Sequence, residues 1–81
     1  MNQFRKSIHH PLHRRLRQEL TSARMDMGLT QRELAEKMNV THSLIGKIET
    51  GDRRLDVLEL IEYSKVLNLD IDSILELLQE N

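Results

Sequence analysis

The apolar positions of this 81-residue chain recur at helical spacing from Pro11 almost to the end. Leu12, Leu16, Leu20, Ala23 and Met27 form one stripe, which predicts a first helix over about residues 11–27. Pro11 suits its first turn and Gly28 its end. Leu34, Ala35, Met38, Val40, Ile45 and Ile48 form the inner faces of two short helices, about 31–38 and 42–50. Thr30 followed three residues later by Glu33 is a capping-box pattern that opens the first of these. Thr41 is an N-cap residue type before the second, and Gly51 closes it. Only Asn39-Val40 lies between them, and Asn enters left-handed backbone space at little cost. A turn that short forces the two helices to cross, with small Ala35 at the crossing. Asp56 with Glu59 repeats the capping-box pattern and opens a fourth helix, about 57–67, with Val57, Leu60, Ile61, Ser64 and Leu67 inward. Asn68-Leu69 makes the next turn. Asp70 or Asp72 then caps a fifth helix, about 71–80, carrying Ile71, Ile74, Leu75 and Leu78. No run alternates with the period of a strand. The expected fold is all-α: five short helices in one compact domain over residues 11–81, preceded by a flexible basic arm over 1–10.

Composition narrows the reading. There is no Cys, so neither a disulfide framework nor a thiolate metal site supports so small a core. No apolar run approaches the roughly 18–20 residues needed to cross a bilayer, and the first ten residues lack the apolar core of a signal peptide. A cytoplasmic protein is expected. His9, His10 and His13 lie at a spacing that invites a metal, but no carboxylate is close in sequence and no metal or other cofactor is expected. Nucleophile motifs, glycine-rich phosphate loops and paired carboxylates are missing, so an enzyme is not expected.

Charge changes the picture more. The net charge is −1, yet residues 1–54 carry 11 Lys/Arg against 6 Asp/Glu, a net +5, whereas residues 55–81 carry one Lys against 7 Asp/Glu, a net −6. The basic part contains the crossed helix pair. Such segregation fits one face turned to phosphate and another kept away from it. On the outer side of the third helix the sequence leaves His42, Ser43, Gly46 and Lys47, a short cationic face suited to a DNA groove.

These features resemble the Cro/lambda-repressor-like (XRE) family of helix-turn-helix DNA-binding domains. The matching residues are Arg24, Gly28-Leu29-Thr30-Gln31, Leu34-Ala35, Val40-Thr41, Ser43, Ile45, Ile48-Glu49, Gly51, Arg53-Arg54 and Lys65-Val66-Leu67-Asn68-Leu69. They cover roughly residues 14–76. Asn39 stands where Gly is frequent and Leu55 where Pro is frequent, and neither departure threatens the fold. The resemblance implies a sequence-specific binder of double-stranded DNA, usually a dimeric repressor on a palindromic operator, associated with the nucleoid. It implies base contacts from His42, Ser43 and Lys47, and backbone phosphate contacts from Gln31, Thr41, Arg53 and Arg54. It further implies an internal ion pair between Arg24 and Glu49. Leu44 has two expected roles, a thymine-methyl contact or packing. The C-terminal part holds more apolar side chains than two short helices need, so Leu58, Leu69, Leu77 and Leu78 are the candidate dimer surface. Two other readings share the scaffold: the antitoxin of a toxin–antitoxin pair, with its acidic C-terminal part on a protein toxin, and a protein-interaction module.

Overall fold

The computed structural model describes residues 10–79. Five helices follow one another: α1 Pro11–Asp26, α2 Gln31–Met38, α3 His42–Thr50, α4 Val57–Val66 and α5 Ile71–Gln79. There is no strand among the described residues. The arm assigned to residues 1–10 lies outside the described residues except for His10. That residue belongs to α1: it is the N-cap, and its Nδ1 accepts from the Leu12 N–H at 3.0 Å.

Local chemistry sets the helix ends. Thr30 Oγ1 accepts from the Glu33 N–H at 3.0 Å while the Thr30 N–H donates to Glu33 Oε1 at 2.8 Å. Asp56 and Glu59 form the same reciprocal pair at the start of α4. At α5 the choice falls on Asp70, whose two carboxylate oxygens accept from the Asp72 N–H and the Ser73 hydroxyl. Thr41 stands at the N-cap of α3 but makes no capping bond; its hydroxyl lies 3.5 Å from that of Ser43. Three of the turns share one design. A residue in the left-handed region (Gly28, Asn39 or Asn68) is followed by an apolar residue whose N–H reaches back five positions, Leu29 to Arg24, Val40 to Ala35 and Leu69 to Ser64. This is the Schellman arrangement, and its apolar residue packs back on the helix it terminates. Leu29, Val40 and Leu69 accordingly rest against the core.

The crossed pair α2–α3 packs most extensively, with α1 laid across α3, α4 against α2, and α5 against α1. Leu16, Leu20, Leu34, Ala35, Met38, Ile45, Ile48, Leu60, Tyr63, Leu67 and Ile74 fill the centre. Ser64 is buried with them and spends its hydroxyl on the Leu60 carbonyl at 2.9 Å. Three positions expected inside are exposed. Val57 is the first residue of α4 and is 70% exposed. Met27 follows the last residue of α1, where the chain has already turned toward Gly28. Leu75 lies to the side of Ile74, which takes the inward direction of α5.

Tyr63 is a core residue that the apolar pattern did not include. It is fully buried, and its hydroxyl has no hydrogen-bond partner among the described residues. Burial, and after it the Glu49 carboxylate, push its phenol well above the ordinary value, so it is neutral at every working pH. An unpaired buried hydroxyl costs about 1–3 kcal/mol. Tyr63→Phe is therefore expected to keep or raise the thermal midpoint. A loss of more than about 1 kcal/mol in urea unfolding would mean that the hydroxyl is bonded after all.

Candidate nucleic-acid interface

The surface around the crossed pair is built on one buried ion pair. Arg24 on α1 donates through Nε to Glu49 Oε2 at 2.7 Å and through Nη2 to Glu49 Oε1 at 3.2 Å. Its Nη1 donates to the Leu29 carbonyl at 2.6 Å. The two side chains are 12% and 6% exposed. The pair thus ties the end of α1, the loop into α2 and the last turn of α3 together. Glu49 also accepts from Gln31 Nε2 at 2.9 Å, so the first residue of α2 is held by the last turn of α3.

His42, Ser43 and Lys47 are exposed on α3. Leu44, for which two roles were open, is half-buried against the core. Gly46 lies under the Gln31 amide: a Cβ at this position would stand 3.5 Å from Gln31 Oε1, an ordinary contact that alanine can make. Gly51 has no such latitude. Its φ is +87°, which strains any side chain; the Arg17 guanidinium, which lies where a Cβ would be, is the movable end of its side chain. Arg17 in turn donates to His13 Nδ1 at 2.8 Å. Burial, then the charges of Arg17 and Arg54, hold the His13 imidazole below its ordinary pKa, as befits an acceptor. His10 and His13 therefore serve α1 itself. Among the described residues no cluster of His and carboxylates could hold a metal ion, and His9 lies outside them.

In the loop after α3, Arg53, one of the two arginines expected at phosphates, also has a partner inside the protein. Arg53 grips the capping carboxylate of α4, with Nη1 and Nη2 each 2.8 Å from an oxygen of Glu59, and donates to the Arg54 carbonyl as well. That bond holds the Glu59 carboxyl below its usual range. The pair is partly exposed and contributes little stability, about 0–1 kcal/mol, but it fixes the path of the loop. Sequence reasoning also missed a polar cleft of about 390 Å³ beside Glu49, lined by Arg14, Arg17, Gln18, Thr21 and Ser22 of α1. Its signal was present in the polar face of α1 opposite Leu16 and Leu20, but only the packing of α1 across α3 brings that face beside the crossed pair.

Comparison with known proteins decides the family. A model of the helix-turn-helix family matches residues 20–74, and this span contains α2, the turn and α3 whole. The chain belongs to the XRE (Cro/lambda-repressor-like) helix-turn-helix family. It is similar to an XRE-family like protein from Pseudomonas syringae pv. tomato str. DC3000 whose structure is solved, with a TM-score of 0.82, 32% identity, and coverage of 95% of this chain and 94% of that one. Two uncharacterised HTH-type transcriptional regulators are also similar. The one from Rickettsia prowazekii (strain Madrid E) is 35% identical over 63 residues, 78% of this chain and 48% of its own length. The one from Rickettsia conorii (strain ATCC VR-613 / Malish 7) is 34% identical over 62 residues, 76% and 50%. The chain thus spans about half the length of these curated relatives. The XRE family is one of helix-turn-helix domains and not of enzymes, and no described helix is long and apolar enough to cross a membrane.

Proposed function

We propose that this chain is a sequence-specific double-stranded DNA-binding transcriptional regulator that acts as a dimeric repressor. The observation that carries the reading is the exposed face of α3, where His42, Ser43 and Lys47 project from a helix locked by α2 and by the Arg24–Glu49 pair. In this reading α3 lies in the major groove. Lys47 donates to guanine O6 and N7, and His42 and Ser43 meet neighbouring base edges. Gln31 and Thr41, at the starts of α2 and α3, meet flanking phosphates, where helix N-termini favour anions. Arg53, which also holds its loop against α4, and Arg54 beside it meet the flanking phosphates. Selection from a randomised duplex pool at moderate salt tests the reading. A palindrome with half-site centres about 34 Å apart, one helical turn, is the expected result. Binding without sequence preference, abolished as salt rises, would refute it.

A single short helix reads few base pairs, so a second copy supplies the rest. Of the four leucines expected at the dimer surface, Leu58 is the one most available to it. Leu69 and Leu78 pack on the monomer core and Leu77 is half-buried, whereas Leu58 is 73% exposed. With Val57 and Ile61 it forms an apolar face on α4 that continues into a cleft of about 460 Å³ between Ile61, Lys65, Leu69 and Ile71. Leu58→Asp is expected to make the protein monomeric in sedimentation equilibrium and to weaken operator binding by about 100-fold or more, because the second half-site is no longer tethered. An unchanged dimer would remove α4 as the interface.

A further inference from the structure

We infer that Glu49 is a positioning residue for the DNA backbone contact: it sets the polarity of the Gln31 carboxamide, so that an N–H and not the carbonyl is kept for a phosphate oxygen. This inference rests on the DNA-binding reading above.

A carboxylate has no hydrogen to give, so only the amine end of the Gln31 side chain can face Glu49 Oε1, which it does at 2.9 Å. The carbonyl oxygen is thereby turned to the Gly46 side, and the second N–H of the same amine remains for another acceptor. A phosphate, too, only accepts. An amide with its carbonyl outward would repel it, and the terminal torsion of a glutamine is broad and roughly two-fold, so an unrestrained amide would present either end. Glu49 removes that freedom because it is not free itself. Its side chain is 6% exposed and both of its oxygens accept from Arg24. Arg24 is fixed in turn by the Leu29 carbonyl, next to the Thr30 cap that starts α2. The pair that holds the fold together therefore also aims a side chain on the binding surface, across 18 residues of sequence.

Glu49→Gln separates positioning from charge. A glutamine that keeps its oxygen on Arg24 turns its own amine toward Gln31, whose amide must then reverse. The substitution also removes a negative charge near the DNA, which by itself tightens binding. Positioning gives the opposite sign: binding to the selected duplex about tenfold weaker, the scale of one hydrogen bond to a charged group. Gln31→Ala should weaken binding to a similar degree, and the double variant should be no worse than either single one. Equal or tighter binding by Glu49→Gln, beside weakened Gln31→Ala, overturns the positioning role and leaves the phosphate contact standing. Full binding by Gln31→Ala overturns both, while DNA binding as such survives. A wild-type protein that binds no duplex refutes the functional reading instead. Nitrogen-15 NMR of the free wild-type protein decides the matter if Glu49→Gln does not fold. One Gln31 side-chain amide proton should be shifted and protected from exchange, and a pair that exchanges like those of exposed glutamines overturns the proposal.

Discussion

Glu49→Ala is expected to remove about 3–5 kcal/mol of folding stability. The size follows from what remains. Arg24 would keep its charge at 12% exposure with no carboxylate opposite it, and Gln31 would lose its anchor as well. The arginine would still have the Leu29 carbonyl, which satisfies one donor and none of the charge. Domains of this size hold only about 5–15 kcal/mol in total, so the variant should be largely unfolded at temperatures the wild type tolerates. Urea unfolding at 25 °C with an unchanged m-value is the measurement. A loss under about 1 kcal/mol would show that the pair behaves as a solvated surface bridge.

Lys47→Ala should show the opposite profile. The side chain is exposed, two residues before Glu49 on the same helix, and its removal should shift the thermal midpoint by no more than about 0.5 kcal/mol in equivalent stability. Affinity for the selected duplex should fall by about 1–3 kcal/mol per half-site, with base preference relaxed at one position of the half-site. The pattern of loss matters as much as its size. A uniform loss across sequences, together with a salt slope shallower by about one, would place Lys47 on a phosphate. Thermal melts in which Lys47→Ala proved the more destabilising of the two variants would overturn both assignments.

The contrast between the two positions follows from helix geometry. Glu49 points back to α1 and α2 and Lys47 points out, because they stand about 200° apart around a helix of 3.6 residues per turn. Two positions of one helix, two residues apart, thus face the protein interior and the solvent. In the following loop Arg53 closes on Glu59 of α4.

The sequence by itself determined the five helices, their order and nearly all their ends. Thr30 with Glu33, Asp56 with Glu59, and the left-handed positions Gly28, Asn39 and Asn68 are readable because each acts on backbone groups a few residues away. The bounds of α2 and α3 follow directly from such signals, and α1 and α4 end only one residue short of the periodic pattern. The Arg24–Glu49 pair was accessible only through resemblance, since nothing local connects residues 25 apart. Tertiary structure alone decided the rest. It buried Tyr63, whose hydroxyl disguises a core residue, and exposed Val57, which lies on the proper stripe. It drew Gln31 onto Glu49 and Arg53 onto Glu59, and it laid the polar face of α1 beside α3. Periodicity reports which side of a helix is apolar. Which polar groups meet across two helices depends on the angle and height at which they cross, and that is settled by the packing of the whole core.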